Sequence, residues 1–241
     1  MDLVQLKKRL KVEFSGKRRL VLFVMLLCVV GVWNAFKFGM ASLDYYVVRN
    51  EISRWQQTGS VQTEEDFLRA KRAIEAAQAK HHSHPLYADL AGQIEEWGVV
   101  AGYSDESQLK AAKSHYLRAT ELRPAWPVTW ASLALIKWRM QEFDDELLGF
   151  LNNADRFGKQ TPEVHILFLE LGLALYNANH PFYIQIREQV QERLIKAMEN
   201  TQSRTRAREI IKNAQAHETV CNWSRPLDEK VYMILLKCDE D

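Results

Sequence analysis

The chain has 241 residues, 47% of them hydrophobic and 26% charged, with only 10 Gly and 6 Pro, which excludes disordered and fibrous classes and bounds it to one or two globular domains. Its net charge of +1 hides an asymmetry, because residues 1–19 hold Lys7, Lys8, Arg9, Lys11, Lys17, Arg18 and Arg19 against Asp2 and Glu13. The remainder is mildly acidic, which argues against nucleic-acid binding, a task that needs Lys and Arg clustered on one face.

After this basic segment comes "LVLFVMLLCVVGVW", Leu20 to Trp33, without a charge. Alone it covers roughly 21 Å of a hydrocarbon core about 30 Å thick. Extended to Leu43 it is long enough to cross, with Asn34 and Lys37 near the far end, where a lysine stem can snorkel to the interface. The cations before residue 20 place the N-terminus in the cytoplasm and everything after about residue 44 across the membrane. A cleavable signal peptide has the same basic start, but the small pair Gly39 and Ala41 follows a Lys and an overlong apolar run. We therefore expect an uncleaved, single-pass signal anchor over 20–43. Residues 44–62 read as a continuation of that helix and then a linker.

Thr63, with Asp66 three residues on, starts a helix whose Phe67, Ala70, Ile74 and Ala77 share one face. His81, His82 and His84 lack a fourth ligand nearby, so they read as a polar loop rather than a metal site. Helices are expected at about 85–102, 105–121, 127–140, 142–156, 161–178, 181–199, 203–216 and 227–237. No stretch alternates with period two. The fold class is all-α, and helices of this length on short connections leave a bundle or a stack of hairpins.

Repeats decide between those two. "RPAWPVTW" places Pro124 at the end of one unit and Pro127 at the first turn of the next, where its missing N–H costs nothing. Counting back from Pro124 on a 34-residue tetratricopeptide period finds Ala119, Tyr116, Ala112 and Tyr103 on pattern, with Val99 for Leu. Counting forward finds Trp130, Leu133, Ala134 and Phe150, then departs: Ala154 falls one residue late and Gly158 replaces the closing proline. Phe168, Leu171 and Gly172 suggest a third unit. Small residues would let helix backbones approach while the aromatics fill gaps between hairpins. We expect a tetratricopeptide-like α-solenoid over 63–241.

Tyr103, Trp130, Lys137 and Trp138 on first helices are the candidate partner-binding residues. Asp144, Asp145 and Glu146 read as a helix start, where acids favour the dipole. Arg204, Arg206 and Arg208 form a candidate contact for an anionic glycan, a lipid headgroup or an acidic protein. Trp126 and Trp130 are assigned to repeat packing, and Trp33 and Trp55 to the membrane boundary, leaving Trp97, Trp138 and Trp223 for sugar stacking. Cys28 sits in the apolar span. Cys221 and Cys238 could close a disulfide loop of about 18 residues in an oxidising compartment; the alternative is two unrelated thiols. There is no G-x-S-x-G and no P-loop, so no catalytic residue, metal or cofactor is assigned and a non-enzymatic role is expected.

The line "YLRATELRPAWPVTWASLALIKWRMQEFDDEL" resembles the repeat segment of small single-span proteins of bacterial exopolysaccharide and O-antigen machinery, the VpsP-type polysaccharide biosynthesis proteins. The resemblance implies a bacterial inner-membrane accessory protein with a periplasmic helical domain. Its partners would be proteins of a polysaccharide synthesis or export complex, assisted by contact rather than catalysis. A membrane-tethered periplasmic chaperone or translocon-ancillary protein would share the architecture, and an enzyme acting on glycan would need a deep pocket with converging carboxylates.

Overall fold

A computed structural model describes the backbone of residues 3–239 and the side chains of residues 18–239; the cations from Lys7 to Lys17 therefore lie outside the described side chains. Every regular element among the described residues is helical. The chain divides into two compact units, residues 1–83 and 84–241.

The first unit is α1 (Leu3–Thr58) and α2 (Glu64–Lys80), packed against each other. α1 runs unbroken through residues 44–58, so the connection is confined to Gly59–Thr63, with Gly59 at φ 71°. Thr63 caps α2 by accepting from the Asp66 N–H at 3.1 Å, and Phe67, Ala70, Ile74 and Ala77 are the buried face. Glu51 of α1 pairs with Arg54 and Arg69, and Asp44 with Lys80. Trp55, expected at a membrane boundary, is instead fully buried. The apolar residues from Leu20 to Trp33 are exposed, and α1 is long and apolar enough to cross a membrane by length and composition.

The second unit is a succession of helical hairpins: α3 (Pro85–Val100) with α4 (Gln108–Leu122), α5 (Pro127–Arg139) with α6 (Asp145–Phe157), α7 (Pro162–Asn177) with α8 (Tyr183–Glu199), and α9 (Arg204–Asn213) with α10 (His217–Ser224). A short π-helical turn, Val231–Leu235, follows. Besides packing within hairpins, α4 meets α5 and α8 meets α9, while α5, α7 and α9 pack in series. The result is stacked, mostly adjacent helix packing, with one core running from α4 to the end of the described chain.

One local design recurs. Pro85, Pro127 and Pro162 each open a first helix at a position that needs no N–H, behind an extended residue, His84, Trp126 or Thr161. All four first helices end alike. Gly102, Gln141, Asn179 and Gln215 take left-handed φ values of 75°, 56°, 51° and 51°. Each donates to the carbonyl three residues back, and the next residue donates to the carbonyl five back: Tyr103 to Gly98, Glu142 to Lys137, His180 to Leu175, Ala216 to Ile211. Such paired bonds satisfy the orphan carbonyls of a helix end and reverse the chain.

The hairpins differ in length, and the difference corrects the repeat count. Pro85 and Pro127 are 42 residues apart, Pro127 and Pro162 only 35. The extra residues are spread over α3, its connection to α4, and α4 itself, and Tyr103 lies in the turn beyond α3 and not on a first helix. The small residue that lets α3 meet α4 is Gly92, where an added Cβ would lie 2.7 Å from the Tyr116 ring. In the third hairpin it is Gly172, whose Cβ would fall 2.4 Å from the buried Val190. Gly158 stands where the count calls for proline because a Cβ there would meet Val164 and Pro127 at 2.7 and 2.8 Å.

Candidate functional site

Three of the four residues expected to face a partner are committed to the fold. The Trp130 ring nitrogen donates to the Pro124 carbonyl at 2.7 Å and its ring packs 6.0 Å from Phe150, fastening the joint between two hairpins. Trp138 is half-buried against the core. Lys137 is 1% exposed and its ammonium meets Glu142, Asp144 at 2.7 Å and Glu146 at 3.0 Å. Burial opposes its charge, but the three carboxylates outweigh that and push its pKa up. Lys137 is thus a structural lysine, not a groove contact. The carboxylates could suggest a cation site, yet the Lys137 ammonium already sits among them. Asp144 also caps α6 through the Leu147 N–H at 3.0 Å, and both contacts hold its carboxyl low.

Two further acids were not singled out in the sequence. Asp89 and Glu96, a heptad apart on α3, are both buried. Thr129 and Gln93 donate to Asp89 at 2.5 and 2.8 Å; Tyr116 donates to Glu96, with Arg139 at 3.3 Å. Burial raises both carboxyls, and raises the Tyr116 phenol well above its usual range. Raised carboxyls can mark acid–base chemistry. Here the cavity beside Asp89 holds about 10 Å³, about one water and no substrate. The network knits α3, α4 and α5 together. Beside it Trp126, assigned to packing in the sequence, is 40% exposed, with the Arg123 guanidinium 3.7 Å over its ring. Trp223 is buried, stacked on Tyr183 and edge-on to Tyr176, and Trp97 is half-buried.

The three arginines do not form one patch: Arg206, two residues from each of the others, points away from them, and Arg204 and Arg208, though four apart, are tied to different segments. Arg204 donates to the Met198 and Glu199 carbonyls at 2.6 and 2.7 Å, closing the end of α8. Arg206 pairs with Glu209 at 3.3 Å. Arg208 donates to the Leu235 carbonyl at 3.0 Å and lines an open cleft of about 450 Å³. Lys212, one turn on, and Lys237 supply its other charges and His217 of α10 an imidazole; Ile211, Leu235 and Leu236 supply apolar surface. Among the described residues no acid is in the lining. Cys221 of α10 and Cys238 are bridged, their Cα atoms 5.7 Å apart, and the His217 ring lies 3.6 Å from the Cys221 sulfur. His217 and the two cysteines have the spacing of metal ligands, but the bridge takes both sulfurs out of the thiolate form that a metal needs.

Sequence reading missed most of this cleft. Arg208 and Lys212 at i, i+4 were open to view, since that interval shares a helix face. His217 and Lys237 were not, because no helix was expected over 217–226, where α10 lies, and nothing local shows that the segment around Lys237 folds back against α9. Compared with family models and with curated proteins, the chain matches no family model and no curated protein.

Proposed function

We propose that the chain is a membrane-anchored scaffold whose tetratricopeptide-like hairpins assist assembly or export of envelope polysaccharide by binding proteins of that machinery. The observation that carries the scaffold reading is the recurrence of one hairpin design, opened by proline and closed by the same left-handed turn, in a row of stacked helices. Repeats stacked in this way build elongated surfaces that suit protein contact. The exposed apolar stretch from Leu20 to Trp33 and its basic flank support a cytoplasmic N-terminus with the hairpins in the periplasm. Anchoring would raise the local concentration of the hairpins at the inner membrane. The "LRPAWPVTWA" line and its likeness to polysaccharide biosynthesis proteins supply the substrate context. Trp126, exposed and stacked under Arg123 at the joint between the first two hairpins, is an accessible aromatic contact on the repeat unit.

In a strain deleted for the gene, surface polysaccharide is expected to fall and to return with the full chain but not with residues 44–241 alone. Unchanged polysaccharide in the deleted strain would overturn the proposal.

A further inference from the structure

We infer that the C-terminal cleft is a binding site for the phosphate of an organic phosphate ester, and that the Cys221–Cys238 bridge assembles it. This inference does not depend on the scaffold reading. The cleft brings Arg208, Lys212, His217 and Lys237 to one opening whose described lining holds no carboxylate. Neither Arg208 nor Lys212 has a carboxylate partner among the described residues. An arrangement of one guanidinium and neighbouring ammonium groups favours an oxyanion that can accept several charge-assisted hydrogen bonds. The floor is apolar, formed by the buried Ile211 and Leu236, so the ligand carries an organic group and not phosphate alone. At about 450 Å³ the space suits a single ring or headgroup.

The bridge matters because the two walls are remote in sequence. Arg208, Ile211 and Lys212 come from α9, whereas Leu235, Leu236 and Lys237 come from the last turn of the chain. Beyond the packing of Val231 and Leu236 in the core, two ties fix that turn over the cleft: the Arg208 bond to the Leu235 carbonyl and the disulfide one residue after Lys237. Lys237 itself takes φ 61°, a left-handed conformation that an L-residue keeps only where its surroundings impose it. With Cys238 free, this segment has lost its covalent hold and the second wall, with Lys237, leaves the cleft.

The test uses the full chain in nanodiscs of zwitterionic lipid with phenyl phosphate as the probe, read by calorimetry. Phenyl phosphate is expected to bind saturably and at least fivefold tighter than inorganic phosphate. Lys212→Gln, at an exposed position, and Arg208→Gln should each weaken it fivefold or more, and Cys238→Ser tenfold or more. Two sources of the phosphate are distinguished by competition. Loss of probe binding in nanodiscs containing an anionic phospholipid assigns the cleft to a lipid headgroup, and displacement by glucose 1-phosphate assigns it to a phosphorylated sugar. Absence of saturable binding, or unchanged binding in Lys212→Gln, overturns the site. Unchanged binding in Cys238→Ser overturns the role of the bridge.

Discussion

Lys137 and Glu142 form an ion pair across the turn that ends α5, at the positions where α9 places Ile211 and Ala216 and α7 places Leu175 and His180. In those hairpins the two positions hold no ion pair among the described residues; here a buried ammonium gathers three acids that are 41–53% exposed. Because those acids keep part of their hydration, removing the lysine does not strand a buried charge, and the loss is mostly stem packing and released carboxylate repulsion. Lys137→Ala is expected to cost about 2 kcal/mol and Lys137→Met, which keeps the stem, about 1 kcal/mol. Urea unfolding of the two variants at low and high salt checks this, with the Met penalty shrinking in high salt.

Gly172→Ala would put a methyl group 2.4 Å from Val190, a β-branched side chain with no exposed surface. Neither helix can yield without disturbing its hairpin, so the expected cost is about 2 kcal/mol. Val190→Ala added to Gly172→Ala makes room, and the double variant should be more stable than the sum of the two single penalties allows. Thermal unfolding of the three variants measures the coupling.

Gln215 holds φ 51° between α9 and α10. An L-residue is strained there and glycine is not, though glycine also loosens the unfolded chain. Gln215→Gly is expected to stabilise by about 0.5 kcal/mol, read as a raised urea midpoint at unchanged slope.

His165 is fully buried beside Arg193, whose guanidinium lies 3.2 Å from its Nδ1 and reaches Asp155 and the Gly158 and Lys159 carbonyls. Burial, then the Arg193 charge, lowers its pKa from 6.5 to about 4. The folded state therefore keeps the imidazole neutral where the unfolded state would protonate it. His165 contributes full stability above pH 6.5 and loses it as pH falls towards 4, a change of about 3 kcal/mol. The stability difference between the parent and His165→Gln should fall by that amount from pH 7 to pH 4, which urea titrations at each pH resolve; a constant difference would contradict it.

The parts of the fold that could be read in advance are those written in local chemistry. Pro127 announced a helix start because its ring fits only where no N–H is needed, and Phe67, Ala70, Ile74 and Ala77 announced a buried stripe by their intervals. The parts that could not be read depend on distances the chain creates by folding. A fixed repeat period put Tyr103 on a helix because nothing local shows that the α3–α4 hairpin is longer than the next one. Gln141 and Gln215 adopt a conformation usually reserved for glycine, so two helix ends carry no glycine mark. The cleft needs two segments brought together by a disulfide, and only Arg208 of its charged residues had been singled out.

The central claim is that these hairpins hold proteins of an envelope polysaccharide machinery at the membrane. A photocrosslinking amino acid at Trp126 in the full chain, activated in intact cells and followed by mass spectrometry, tests it most directly. The account predicts a few crosslinked partners drawn from glycan polymerisation or export proteins. Recovery of many unrelated secreted proteins and no glycan machinery would contradict it and point to a tethered chaperone.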